Sequence, residues 1–362
     1  MKKQYDIAAF IWPAYTGDEP RSRIFWPGGI GEWETVQNDS RGAKPLWGYV
    51  NEADPYVMEM QIEAAVDHGV NVFIYDWYWY DKRPFLQNCL DDGFLKAKNN
   101  KKMKFYLMWA NHDANYLWDK RNSDTQDEVI WRADVDLNEF KKIGKLWLEK
   151  YFVLDNYYKI DNKPVLNIHY MPGFIKYMGS VENATEAMRW LNEEAKKYGF
   201  DGVHFQNNER DRYVVDVAGT NDVEPVKTND LLEVMGFESI TNYQYAHMTN
   251  VDRDYDDVTA DAVKKWYENQ EKFNISYFPH VSIGWNNEIR HVNKKGVTTT
   301  GRSPEKFEKA LRLAKEFTDK YNKVPLITIN SWNEWTEESY LQPDTQFGYG
   351  YLEAVKKVFV DE

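Results

Sequence analysis

The chain has 362 residues, 43% of them hydrophobic, which suffices for one large α/β barrel or two ordinary domains and excludes a disordered chain. Its net charge of −13 argues against nucleic acid or an anionic membrane surface as a partner. A single cysteine, Cys89, excludes an internal disulfide and a cysteine-rich metal cluster, and no apolar run is long enough to insert into a membrane.

Strand-like and helix-like runs alternate along the chain. Met1-Lys2-Lys3 looks like the start of a leader, but strand residues follow at once, so the protein is expected to be either cytoplasmic or exported with its signal removed. Ile7 to Trp12 reads as the first strand, with Trp12 at its end, and a polar, Gly-rich excursion follows to about Asn51. Asp54-Pro55 opens a helix with Met58, Ile62, Ala65 and Val66 at helical spacing, and Gly69 closes it. Val70 to Tyr75 is the second strand and runs into Asp76-Trp77-Tyr78-Trp79-Tyr80. Lys104 to Met108 is the third, ending in Trp109, Ala110, Asn111 and His112. Pro164 to Ile168 is the fourth, ending in His169, between helical stretches at Leu137 to Tyr151 and Val181 to Tyr198. Gly202 to Phe205 is the fifth, followed by Gln206, and Ser239 to Asn242 is the sixth, followed by Tyr243. Ser276 to Ile283 is the seventh, ending in Gly284-Trp285-Asn286. Pro325 to Ile329 is the eighth, and a helix from Tyr351 to Val360 closes the series.

Eight strands, each followed by polar and aromatic residues and then a helix, predict a (β/α)8 TIM barrel, one domain over 1–362 with extended βα loops. A doubly wound open sheet is the alternative, but the first strand lacks the Gly-rich phosphate loop such folds carry. In a barrel the strand ends share one face, so the residues named at those ends are expected to meet in one basin. Aromatic residues make up 16% of the chain, including 15 Trp and 25 Tyr. Most single Tyr residues pack helices on sheets, but the clusters at strand ends suit the flat C–H faces of sugar rings.

The eighth strand carries the chemistry: Asn330-Ser331-Trp332-Asn333-Glu334-Trp335-Thr336-Glu337-Glu338. Three positions separate Glu334 from Glu337, so one turn places both on one side. Two carboxyls about 5 Å apart suit retaining glycoside cleavage, and apolar Trp332 and Trp335 would raise one pKa. An E-x-x-E pair is also a common solvated helix start, but its setting between two tryptophans after a core strand favours the catalytic reading. No H-x-H or H-x-x-x-H pair announces a metal, so none is expected, nor any other cofactor. His112 and His169 are assigned to sugar hydroxyls or to orienting carboxylates, and His204 and His280 to the core. Asp76 could bind a hydroxyl or fix Arg83 or Lys82. No G-x-S-x-G elbow or P-loop occurs.

Trp332-Asn333-Glu334-Trp335-Thr336-Glu337, continuing to Gln342-Pro343-Asp344, resembles the W-N-E-W-x-E-G-x-x-x-E-P signature of the WbsX-type family. That family is labelled glycosyltransferase but is similar to the endo-α-1,2-mannosidases and mannanases of glycoside hydrolase family 99. Tyr158 to Val165, Trp109-Ala110-Asn111-His112 and Gly284-Trp285-Asn286-Asn287 resemble further blocks of the family. The resemblance implies a metal-independent, retaining barrel hydrolase acting on an oligosaccharide or polysaccharide. It implies Glu334 as base on the substrate's 2-hydroxyl, through an anhydro-sugar intermediate, and Glu337 as general acid/base. The strand-end geometry and the aromatic clusters, apart from the resemblance, make Trp12, Asp76, Trp77, Trp109, Asn111, His112, His169, Gln206, Tyr243, Trp285, Asn286, Trp332, Asn333 and Trp335 the sugar-binding candidates. The chain departs from the pattern at Glu338 (usually Gly), Gln342 (Glu), Asn286 (Asp) and His112 (Glu). A glycosyltransferase and a catalytically silent glycan-binding barrel remain the alternatives.

Overall fold

The computed structural model describes residues 3–38, 42–115, 118, 128–210, 215–216, 223–224, 228–290 and 296–362. Eight parallel strands follow the expected order: β1 (Asp6–Ile11), β2 (Val72–Tyr80), β3 (Lys104–Trp109), β4 (Lys163–Ile168), β5 (His204–Asn208), β6 (Ser239–Thr241), β7 (split into Ser276–Tyr277 and His280–Ser282) and β8 (Leu326–Asn330). Each pairs with its sequence neighbour, and β8 returns to β1 with Ala8 opposite Thr328 while Val72 of β2 flanks Ala8 on its other side. Phe278-Pro279 splits β7 because proline has no N–H to give the ladder. Phe278 N still donates to Ile240 O and Thr328 N to Pro279 O, so the wall closes. The result is the TIM barrel that the sequence pattern predicts.

Helices cover the outside. The longest are α2 (Pro55–Asp67), α3 (Leu137–Trp147), α5 (Val181–Lys196), α7 (Tyr255–Lys272) and α8 (Pro304–Tyr321), with α1 (Trp33–Asn38), α4 (Met171–Met178), α6 (Thr228–Met235) and α9 (Gly350–Lys356) completing the set. Their starts are chemically marked. Asp54 accepts from Tyr56 N ahead of Pro55, and Ser303 accepts from Lys306 N ahead of Pro304.

Two features differ from the sequence reading. The second strand continues through Tyr80, all nine residues buried, so Trp77 is a strand residue and not part of a loop. The barrel lumen is polar: inward positions at period two carry Tyr106, Asn167, His204, Gln206, Asn208, Thr241, His280 and Thr328, joined side chain to side chain. His204 bonds Ser239 Oγ at 2.7 Å and His280 bonds Thr328 and Ser282, each at 3.0 Å, as satisfied core histidines.

Candidate active site

After β8 the chain crosses a cis Asn330–Ser331 peptide and folds into a miniature hairpin, Asn333–Glu334 against Ser339–Tyr340. Ser331 organises it: its Oγ accepts from Glu334 N (2.8 Å) and Asn333 N (3.2 Å) and donates to Ser339 O (2.7 Å). One 3-10 turn, Trp335–Glu337, then brings Glu337 beside Glu334. Glu338 closes that turn at φ 47°, the left-handed region that suits the glycine usual there. Its carboxylate turns away to pair with Arg302.

Both catalytic candidates face a cavity of about 430 Å³ at the carboxyl ends of the strands. Arg290 ties them together. Its Nη1 donates to Glu337 Oε1 (2.7 Å) and its Nη2 to Glu334 Oε2 (3.3 Å). The same Nη2 lies 3.5 Å from Glu32 Oε1, and Nε donates to Thr336 Oγ1 at 2.8 Å. Glu32 is fully buried and also accepts from Trp12 Nε1 (2.6 Å), Thr336 (3.1 Å) and Tyr15 OH (3.2 Å). The preceding Gly31 has φ 61°, and a Cβ there would meet Ala14 O at 1.9 Å, so only glycine delivers Glu32 to this place. On the other side, Tyr243 OH lies 2.8 Å from Glu334 Oε1 and 3.0 Å from Asp76 Oδ2. Burial raises Glu334, Glu337 and Asp76 above the ordinary carboxyl range; the Glu337 charge adds to the rise at Glu334, and Arg290 opposes it at both glutamates. Glu337 Oε2 is buried and has no hydrogen-bond partner among the described residues.

The basin gathers Trp12, Asp76, His112, His169, Tyr243, Trp285, Glu334 and Glu337, but not the other residues predicted there. Strand alternation explains two of these corrections. Asp76 and Tyr78 point inward, whereas Trp77 stacks on Trp79 (5.7 Å) and meets Trp147 edge-on beneath α3; Trp109 likewise packs on Trp147, Phe140 and Phe174. Gln206 lies in the lumen, bonded to Tyr106 and Asn167. Asn111 clamps Tyr170 through both its backbone N and O. Asn286 Oδ1 caps its own loop, accepting from Glu288 N and Thr298 Oγ1. The turn residues brace the carboxylates from behind. Trp332 Nε1 reaches Gln61, Trp335 stacks on Tyr340 at 3.7 Å, and Asn333 bonds the Trp12 backbone and Glu52. Asp76 serves Tyr243, while Arg83 pairs with Asp81.

Other lining residues escape the sequence reading. Tyr78 and His247 were accessible from it, one by period two from Asp76 and the other four positions after Tyr243. Arg290 and Arg210 lie a few residues beyond recognised strand ends. Trp118, and Glu32 which braces Arg290 from behind the lining, carry no signal in their local sequence. Among the described residues no three His, Cys, Asp or Glu side chains are grouped to hold a metal, and no helix is long and apolar enough to cross a membrane.

The model of the family described as Glycosyltransferase WbsX matches residues 8–355. An uncharacterized protein, WxcX, of Xanthomonas campestris pv. campestris is 24% identical over 367 residues, covering 97% of this chain and 49% of the relative. The chain therefore spans about half the length of the curated relatives it matches. A glycoside hydrolase family 99 endo-alpha-mannosidase from Bacteroides thetaiotaomicron superposes with a TM-score of 0.64 at 14% identity, covering 100% of this chain and 97% of that one. A glycoside hydrolase-like protein superposes with a TM-score of 0.62 at 13% identity, covering 99% and 94%. At such identities the likeness is one of fold.

Proposed function

The chain belongs to the WbsX glycosyltransferase family, and from that premise we propose a glycoside hydrolase that cleaves a complex or bacterial polysaccharide with retention. One observation carries the reading: two buried carboxyls at the end of β8 face a common cavity and share one guanidinium. Glu337 Oε2 donates its proton to the glycosidic oxygen as the bond to the anomeric carbon breaks. Glu334 takes the proton of the sugar 2-hydroxyl, whose oxygen closes on that carbon to give the anhydro-sugar. Water then opens the ring, losing its proton to Glu337 while Glu334 returns its own to the 2-oxygen. Tyr243 and Arg290 place a donor on each Glu334 oxygen, which supports its ionised form. Trp12, Trp118 and Trp285 supply aromatic walls for sugar rings.

The family's description favours a second reading, transfer from an activated sugar donor. Product release from a panel of polysaccharides, by wild type and Glu337→Gln in parallel and without nucleotide sugar, separates the two. Glycan fragments from wild type, reduced at least about a thousandfold in the variant, are expected. Equal release by both proteins, or product only when a nucleotide sugar is added, overturns the hydrolase.

A further inference from the structure

Glu32 is a buried carboxyl group that takes no direct part in the proposed reaction. It lies between β1 and α1, and its place is fixed. Its backbone N donates to Ala14 O at 2.9 Å, and the next residue, Trp33, packs on Tyr15 with 4.2 Å between ring centres. It is fully buried and stands outside the cavity lining, so whatever it does passes through its neighbours. Each of its oxygens faces a group that can only donate, Trp12 Nε1 at Oε2 and Arg290 Nη2 near Oε1, which are the surroundings of a carboxylate. A charge buried this deeply is costly unless it is paired.

Its charged partner is the guanidinium of the catalytic pair. Arg290 Nη2 is 3.3 Å from Glu334 Oε2 and 3.5 Å from Glu32 Oε1, while Nη1 donates to Glu337 Oε1 at 2.7 Å. Thr336 completes the link, accepting from Arg290 Nε at 2.8 Å and donating to Glu32 Oε1 at 3.1 Å. Three carboxyl groups therefore surround one positive charge. Acid–base cleavage needs one proton on the Glu334–Glu337 pair, held by the acid and absent from the base. A guanidinium given to the pair alone favours loss of that proton. Burial raises both glutamates, Arg290 pulls them down, and the Glu32 charge raises them again. The other titratable groups acting on the pair among the described residues are Asp76 and Tyr78 on β2, Tyr15 after β1 and Tyr243 after β6. Burial holds the three phenols neutral.

We propose that Glu32 is a positioning residue of the reaction: it holds Arg290 at the pair and takes a share of its charge, so that the pair keeps one proton. The proposal rests on the glycan-cleaving reading and adds to it a third carboxylate that stands outside the cavity. The same carboxylate holds the indole of Trp12, one of the aromatic walls.

Two measurements on wild type, Glu32→Gln and Glu32→Asp test it. One is the pH–rate profile on the glycan that wild type cleaves. The other is the titration of the pair, followed by NMR of isotope-labelled glutamate carboxyls and assigned from Glu334→Gln and Glu337→Gln. Glu32→Gln keeps the size and removes the charge, so both limbs of the profile are expected to move to lower pH by about one pH unit. The titration of the pair should move with them. Above the wild-type optimum the rate then falls about tenfold, and below it much less. Glu32→Asp keeps the charge but draws it back from Arg290, and should fall between the two. If Glu32→Gln does not fold, the order of Glu32→Asp and wild type decides. A profile lowered at every pH with unmoved limbs means that Glu32 only supports the fold, and overturns the proposal. A pair that titrates alike in wild type and in the variants overturns it too. A wild type that releases no fragments sinks the hydrolase reading instead, and the NMR titration still decides whether Glu32 sets the proton on the pair.

Discussion

Tyr243 has one hydroxyl hydrogen and two carboxyl oxygens within reach, Glu334 Oε1 at 2.8 Å and Asp76 Oδ2 at 3.0 Å. It can donate to only one, so the other carboxyl must carry a proton and donate back to the phenol oxygen. Burial pushes both carboxyls up, but only Glu334 has the Arg290 guanidinium beside it to favour the ionised form, so Asp76 suits the protonated role and Glu334 accepts from Tyr243. Tyr243→Phe is therefore expected to lower kcat by about a hundredfold. A base must be ionised to act, and losing its donor raises its pKa, so the acidic limb of the pH–rate profile should move to higher pH. An unchanged limb would mean that Tyr243 does not serve Glu334. Glu338 tests the opposite expectation, because it adjoins the pair in sequence but its side chain pairs with Arg302. Glu338→Gly relieves a left-handed residue, worth about 1–2 kcal/mol, and forfeits a partly exposed ion pair of similar or smaller value. Urea unfolding should change by less than about 1 kcal/mol and turnover by less than about threefold. A tenfold loss of turnover with intact stability would place Glu338 in the chemistry.

The turn after β8 shows what a linear pattern can and cannot reveal about an element. The apolar run of β8 and its break into Trp, Asn and Glu are local signals, and they marked both the strand end and the carboxylate pair. What holds the turn comes from remote sequence. Glu52, in the loop before α2, accepts from Gln342 and Asn333, both at 2.8 Å, and from Gln61 at 3.1 Å. No spacing rule links positions 52 and 342, so Asn333, Trp332 and Trp335 looked like ligands for sugar when they brace the turn from behind. The departure at Gln342 acquires a physical meaning here. Its amide gives a proton to Glu52 and takes one from Trp335 Nε1 at 2.6 Å, a division of labour that glutamate cannot reproduce when ionised. Burial already pushes Glu52 up to about 7. Gln342→Glu would set a second carboxyl against it, and both cannot ionise there cheaply. The variant is expected to lose on the order of 3 kcal/mol at pH 8, where both would ionise, and much less at pH 5, where a proton is shared. Urea midpoints at the two pH values measure this, and equal losses would count against the contact.

Across the whole molecule, the aromatic abundance that suggested sugar binding serves mainly the layer between barrel and helices, where Trp77, Trp109 and Trp147 interlock. Strand order and barrel closure were legible because a short buried run and polar or aromatic strand-end chemistry recur in every unit. The polar lumen was not, because its partners lie on adjacent or facing strands. That lumen sets a pH dependence. Burial holds His280 down at about 3 and His204 at about 4, against about 6.5 in an unfolded chain. Below pH 6.5 the unfolded chain takes up protons that the folded one refuses, so stability falls as pH drops from 6.5 towards these values. Glu52 and the carboxyls of the basin have raised values and act in the opposite sense, their contribution being lost as pH rises. The total curve mixes the two, but a single substitution isolates one. His280→Gln keeps an amide near the Thr328 and Ser282 hydroxyls and removes the titration. Its unfolding free energy relative to wild type should be constant above about pH 7. Between pH 7 and pH 4 the difference should shift in favour of the variant by on the order of 3 kcal/mol. A difference that stays flat across that range would show that His280 accepts its proton inside the closed barrel at no cost.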